Sequence, residues 1–305
     1  MSKTRTIFEF LKKPIKFIPV LAKQGLLSWM PDKRYLKLLY RCEMGVSLNL
    51  KNPTTFNEKL QWLKLYDRNP LYTKLVDKYE VREYIADAIG EEYVIPLYGV
   101  WDDSEDIDFD SLPNQFVLKC THDSGSVIVC TDESKFDKNK AKKKLKKAQR
   151  FNFYYLGREW PYKNVKPRII AEKYMLNAEG SKELTDYKWF CFDGVAKAMF
   201  IATDRQSFGE ETKFDFFDME FRHLPFTNGH PNATQEIKKP GSFELMRELA
   251  ERISKDIPHV RVDFYEANGQ IYFGEMTFYH WGGMKPFQPE EWDYIFGSWI
   301  QLPKN

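Results

Sequence analysis

Cysteine is scarce in this chain. Cys42, Cys120, Cys130 and Cys191 are spread through 305 positions without a Cys-x-x-Cys pair, which argues against a disulfide frame or a zinc site and fits a reducing cytoplasm. Long apolar runs are missing too. Nothing approaches the ~18–20 residues of a membrane span, and the first residues lack a contiguous apolar core with a cleavage site, so neither spanning nor secretion is signalled. Charge of one sign is not in excess: 46 Lys and Arg stand against 44 Asp and Glu. The one strongly basic stretch, 135–150, distributes Lys142, Lys143, Lys144, Lys146 and Lys147 around a whole helix with no companion patch, so no nucleic acid is expected. No Ser/His/Asp or Cys/His arrangement is recognisable. Length alone allows two domains or one large α/β unit with a sub-lobe.

What is present centres on residues 260–277. Val260, Arg261, Val262, Asp263, Phe264 and Tyr265 form one β-branched and aromatic run, and Gln270 to Thr277 form another, with Asn268-Gly269 between them. This is a strong hairpin signal. Arg261, Asp263 and Glu275 interrupt otherwise apolar strands and so should point at a partner. Side chains alternate faces along a strand. A two-residue Asn268-Gly269 turn would send Asp263 and Glu275 to opposite faces, whereas a three-residue Ala267-Asn268-Gly269 loop with a bulge pairs Arg261 with Glu275 and brings both acids to one face. The second arrangement is expected. Two carboxylates beside an arginine suit Mg²⁺ carried on polyphosphate oxygens. A buried salt-bridge cluster that closes a sheet uses the same residue types.

In chain order, residues 1–30 are basic and amphipathic but interrupted by Pro14 and Pro19. Such an arm suits an anionic membrane surface and equally suits packing on the body. Helices follow over 31–41, from Thr54 or Thr55 with Glu58 placed for a capping box, and over about 72–89 up to Gly90. On that last helix Asp77, Lys78 and Arg82 read as a solvated face. Residues 94–101 read as a strand. Residues 115–130 read as strand, small polar loop, strand, with Lys119 near the end of the first strand. The loop carries Thr121, His122, Ser124, Gly125 and Ser126, a composition able to fold over phosphates or to make an ordinary turn. It lacks Walker spacing and no helix follows at once. A strand at 168–175, a hairpin turning at Asp193-Gly194, a strand at 213–217 and a helix capped by Ser242 complete the order.

Taken together these blocks resemble the ATP-grasp superfamily. The carriers are Lys119 with its Ser/Gly loop, the strand around Glu172, Lys188 on the next hairpin, Arg261-x-Asp263 and Glu275-x-Thr277. The blocks at 48–62, 77–84, 158–160 and 186–190 are more narrowly similar to the TupA-like branch, named for teichuronopeptide biosynthesis. The resemblance implies an α/β (α+β) fold in which two lobes with antiparallel sheets clasp a nucleotide, preceded by a helical N-terminal region. The expected divisions are a basic arm at 1–34, a helical lobe at 35–112, a small lobe with the phosphate loop at 113–175 and a large lobe with the metal site at 176–305.

Position by position, the resemblance implies ATP contacts from Lys119, from Thr121, His122, Ser124, Gly125 and Ser126 in the loop, from the hinge residues Glu172, Lys173, Tyr174 and Met175, and from Lys188. It implies Mg²⁺ at Asp263 and Glu275, and Arg261 facing the γ-phosphate. Thr277 stands where many of these enzymes place asparagine, a neutral hydroxyl in a metal-ligand position. Arg158, Trp160, Arg205, Trp281, Gly283 and Lys285 are candidates for substrate contact, and His280 for orienting an amine or relaying its proton. The implied reaction joins an amino acid or amine to a carboxylate, with a uronic acid on a cell-surface glycan or nucleotide sugar as the acceptor. The implied place is the cytoplasm, with the inner membrane face within reach of the arm. Phosphotransfer to a sugar or small molecule, and a non-catalytic nucleotide- or membrane-binding protein, are the alternatives.

Overall fold

The computed structural model describes residues 18, 21, 24–175, 184–203 and 211–304. Most of the basic arm therefore lies outside the described residues, as does Arg205. No helix among the described residues is long and apolar enough to cross a membrane.

Four helices come first: α1 (Asp32–Met44), α2 (Phe56–Tyr66), α3 (Leu71–Val76) and α4 (Val81–Ile89). The expected capping box is formed. Thr55 Oγ1 accepts from the Glu58 amide at 3.2 Å, and Glu58 Oε2 accepts from the Thr54 and Thr55 amides, satisfying donors that the first helical turn leaves free. The single helix expected over 72–89 is instead broken at 77–80. Asp77 Oδ1 accepts from the Tyr79 amide at 2.8 Å and the Glu80 amide at 3.4 Å, a local bond that competes with helix continuation.

A small antiparallel sheet runs in the order β1-β4-β2-β3, from β1 (Leu97–Trp101), β2 (Phe116–Cys120), β3 (Ile128–Cys130) and β4 (Ile169–Lys173). Its buried face, with Phe116, Leu118, Cys120, Ile169 and Ala171, packs on Leu145 of the basic helix α5 (Lys138–Gln149). That helix is followed by the single turn α6 (Tyr154–Gly157). A larger antiparallel sheet follows the order β10-β9-β5-β6-β7, from β5 (Asp186–Phe192), β6 (Val195–Thr203), β7 (Lys213–Phe217), β9 (Val260–Ala267) and β10 (Gln270–Thr277). The short β8 (Thr227–Asn228) pairs with β11 (Phe287–Gln288).

β5 is the middle strand of the large sheet and is buried along its whole length. Phe56 of α2 meets Phe190 and Phe192 edge-on at 6.2 and 6.5 Å, and α7 (Phe243–Ile253) adds Met246, Leu249 and Ile253. The last helix, α8 (Glu291–Trp299), adds Phe296. Full burial of each such side chain contributes ~1.5–3 kcal/mol. Ser242 precedes α7 as expected, but its hydroxyl donates to Glu266 Oε2 at 2.6 Å instead of capping the helix. The fold is thus mixed α/β with antiparallel sheets behind a helical N-terminal region, as expected.

Candidate functional site

The β9–β10 hairpin turns on two residues. Asn268 and Gly269 both have positive φ, 55° and 75°, and Ala267 pairs directly with Gln270, so the expected three-residue loop is absent. Left unbroken, that register would set Asp263 opposite Gly274 and turn Glu275 to the far face. The strands instead slip between Phe273 and Glu275, and Glu275 pairs with Asp263. Gly274 is the inserted residue, where a Cβ would stand 2.9 Å from the Tyr265 ring and 3.1 Å from the Asp263 carbonyl. A mid-strand bulge thereby restores what the loop was expected to supply, two acids on one face. Arg261 pairs with Thr277, not with Glu275. On the other side of β9, Lys188 pairs with Asp263, so Lys188, Asp263 and Glu275 form one row across three strands.

Asp263 is fully buried. Arg261 grips it through Nε and Nη2, both at 2.7 Å, and Lys188 Nζ reaches Oδ2 at 2.5 Å. Burial alone would raise the Asp263 carboxyl, but Arg261 and Lys188 outweigh it and hold the group below the usual carboxylate range. Glu275 is more open, with 41% of its side chain exposed. It receives a 3.3 Å bond from the Thr277 hydroxyl, and Arg261 Nη2 approaches both Thr277 Oγ1, at 3.0 Å, and Glu275 Oε1, at 3.5 Å. Two carboxylates and a hydroxyl form an all-oxygen donor set suited to a hard cation such as Mg²⁺.

His280 is buried behind Arg261. Arg261 Nη1 lies 2.7 Å from its Nδ1, and since a guanidinium only donates, Nδ1 is the acceptor and Nε2 carries the proton. Nε2 donates to Asn228 Oδ1 at 3.0 Å. Burial, then the Arg261 charge, pushes the imidazole pKa far below its ordinary value. His280 is therefore a neutral support for Arg261. The proton-relay expectation fails because both ring nitrogens are engaged and the ring is held uncharged.

A cavity of about 540 Å³ opens in front of this row, a size suited to a small-molecule ligand. Arg261, Glu275 and Thr277 line one wall, Asp123 and Ser124 another, and Phe153, Leu156, Gly157, Glu159 and Tyr162 a third, with Leu39, Glu43, Tyr279, Trp281, Gly282, Met284 and Lys285 completing it. The 121–126 loop thus reaches the Asp263–Glu275 row, but only its tip is available. Ser124 and Gly125 are exposed, with Gly125 at φ 109°. Thr121 and His122 are buried, and the Ser126 hydroxyl donates to Asp123 Oδ1 at 2.7 Å while accepting from the Cys120 amide. Those three residues shape the loop and do not line the cavity.

Lys119 and Glu172 share a face of the small sheet and pair at 2.5 Å, with Arg82 on the other oxygen at 3.2 Å. They do not line the cavity. The residue that connects them to it is Lys78, whose ammonium donates to the Asp123 carbonyl at 2.5 Å. Burial lowers its pKa, opposed by Glu275, Asp123 and Glu172 and reinforced by Lys119. The sequence pattern places Lys78 and Arg82 on a solvated helix face, and the break at Asp77 is what turns them inward. The Lys173 amide is committed to the Pro96 carbonyl at 2.9 Å, and Tyr174 and Met175 are the last described residues before 176–183.

The substrate candidates divide. Trp281 and Lys285 line the cavity. Arg158 does not. Its guanidinium donates to the Leu27, Ser28 and Met30 carbonyls and stacks 4.4 Å from the Tyr35 ring, pinning the segment before α1. Trp160 packs on the core with Arg68 over its ring. Gly283 lies against α2, where a Cβ would meet Gln61 Nε2. Glu159, between Arg158 and Trp160, is the member of that triplet that faces the cavity.

The family model described as TupA-like ATPgrasp matches residues 58–301. No curated protein sequence matches the chain. D-alanine--D-alanine ligase from Bacillus anthracis complexed with ATP aligns at 15% identity and TM-score 0.39, covering 67% of this chain and 53% of that one. The ATP-grasp ligase PsnB complexed with a minimal precursor aligns at 11% and 0.38, covering 72% and 58%. Biotin carboxylase from Campylobacter jejuni aligns at 15% and 0.40, covering 75% and 47%. The chain spans about half the length of these structures, and at such identities and scores the likeness extends to neither activity nor substrate.

Proposed function

The chain belongs to the TupA-like ATP-grasp family, and on that premise we propose that it is an ATP- and Mg²⁺-dependent ligase that joins a carboxylate to an amine through an acyl phosphate. The observation that carries this reading is the pairing of Asp263 with Glu275 on one face beside Arg261, next to a cavity reached by the Ser124 loop.

Asp263, Glu275 and Thr277 would hold Mg²⁺, which supplies charge neutralisation on the phosphate oxygens. For Asp263 to take part, one of the cations that grip it must move to the phosphates. Arg261 and Lys188, already poised on that acid, are the cations that make this exchange. Lys119, Lys78 and the 121–126 loop serve the nucleotide, with Glu172, Tyr174 and Met175 at the adenine end. The substrate carboxylate attacks the γ-phosphoryl group, and the amine then displaces phosphate from the carbonyl. Positioning and charge stabilisation suffice for both steps, so no protein nucleophile is required.

The substrate we assign is a uronic acid carboxylate of a surface polysaccharide or its precursor, joined to an amino acid in the cytoplasm. Family membership supports the assignment, as does the combination of Trp281 for a sugar face and Lys285 for a carboxylate. A screen of ADP release with uronic acids against a panel of amino acids tests it. ADP formed only when both partners are present supports the ligase. ADP accompanied by a stable phosphoester and no need for amine replaces it with a phosphotransferase.

A further inference from the structure

We propose that Glu159 is the group that receives the amine, binding the substrate's ammonium and taking the proton whose loss frees the nitrogen to attack. The inference rests on the ligase reading above.

Four carboxylates line the cavity among the described residues: Glu43, Asp123, Glu159 and Glu275. Glu275 belongs to the metal row, Asp123 is tied to Ser126, and Glu43 is exposed. Glu159 stands apart from them. Arg158 adopts a left-handed backbone, φ 54°, which ends α6 and leaves Glu159 facing inward. Beside it is Lys64 of α2, fully buried, which donates to the Gly157 and Gly282 carbonyls at 2.9 and 2.8 Å and to Gln61 Oε1 at 3.2 Å. A Cβ on Gly282 would lie 3.6 Å from Glu159 Oε1 and 3.8 Å from Lys64 Nζ, so the missing side chain at 282 leaves the cavity open onto the pair. With its three donors spent on other oxygens, Lys64 acts on Glu159 through charge and leaves the carboxylate lone pairs to a ligand.

Burial pushes the Glu159 carboxyl up to about 7, opposed by Lys64 and reinforced by Glu275. The other titratable groups that sense it are Tyr162 and Tyr279. A base poised near neutrality suits proton transfer at cellular pH. In the step assigned to it, Glu159 takes one ammonium proton and the nitrogen pair forms a bond to the acyl carbon. The bond from that carbon to the phosphoryl oxygen breaks, and phosphate departs with its electron pair and the second nitrogen proton.

The test compares the full chain with Glu159→Gln, using Mg·ATP, a carboxylate panel of glucuronate, galacturonate and UDP-glucuronate, and either amino acids or hydroxylamine, which is uncharged near pH 7 and needs no base. Expected is a fall of about 10²-fold or more with amino acids at pH 7, recovery as pH rises toward the amine's own pKa, and a much smaller loss in hydroxamate formation. Equal activity of the two proteins overturns the assignment, as does an equal loss with both nucleophiles. A wild-type chain silent with every pair overturns the ligase reading itself and this inference with it.

Discussion

Arg261 Nη1 and His280 Nδ1 stand 2.7 Å apart in the interior of the protein, and the pairing fixes the imidazole as a neutral acceptor. His280→Asn keeps an acceptor near the Nδ1 position, whereas His280→Phe leaves a guanidinium hydrogen unpaired, a loss of ~1–3 kcal/mol. The Phe variant should lose at least tenfold in kcat and the Asn variant much less. A wild-type pH–rate profile should show no limb that disappears in His280→Asn.

Asp263 and Glu275 should differ when neutralised. Asp263→Asn leaves Arg261 and Lys188 facing each other in a buried site, a cost of about 3–5 kcal/mol by analogy with broken buried pairs. Glu275 is open to solvent, so Glu275→Gln should leave folding within ~1 kcal/mol. Both should abolish turnover. Urea unfolding separates the two effects, and equal stability of the variants would count against the neutralising role given to Asp263.

Removing Gly274 deletes the bulge. With the extra residue gone, the regular two-residue register still sets Glu275 opposite Asp263, so both acids keep one face. The deletion variant should keep a cooperative unfolding transition and ATP turnover within about tenfold of the wild type. A loss of more than about 10²-fold in a folded variant would contradict the view that the facing of the two acids is what the bulge supplies.

Two buried histidines should make the fold acid-sensitive. His259, whose Nδ1 is bonded to the Cys191 carbonyl at 3.0 Å, is pushed down to about 3 by burial, and His280 is also held well below its ordinary value by burial and then by Arg261. Both folded pKa values lie below the unfolded value of about 6.5, so below that pH the unfolded chain binds protons that the folded chain refuses. Their contribution is full above pH ~6.5 and is lost progressively as pH falls below it, at up to ~1.4 kcal/mol per pH unit for each, for His259 down to its folded value of about 3. The urea midpoint measured from pH 7 to 4.5 should fall, and His259→Leu should flatten the slope.

Local chemistry was legible where one short stretch decides the outcome. Thr55 with Glu58, Asn268 with Gly269, and Asp193 with Gly194 all form the cap or turn that their residue types favour. What escaped were decisions taken by tertiary packing. Gly274 sits in an unbroken strand pattern, and only the pairing of both strands reveals it as an insertion. The Asp77 turn, stabilised by Arg168 at 3.1 Å from just before β4, breaks a helix whose periodicity runs on through it and turns Lys78 inward. In the 158–160 triplet, arginine and tryptophan looked the better substrate contacts, yet one left-handed residue gave the cavity to the glutamate between them.

The most direct test of the metal-binding role proposed for the Asp263–Glu275 pair is calorimetric binding of the non-hydrolysable analogue AMP-PNP to the wild-type chain and to Glu275→Gln, with and without Mg²⁺. The account predicts that Mg²⁺ strengthens binding to the wild type by at least tenfold and has little effect on the variant. Equal Mg²⁺ dependence in both proteins, or none in either, would contradict it.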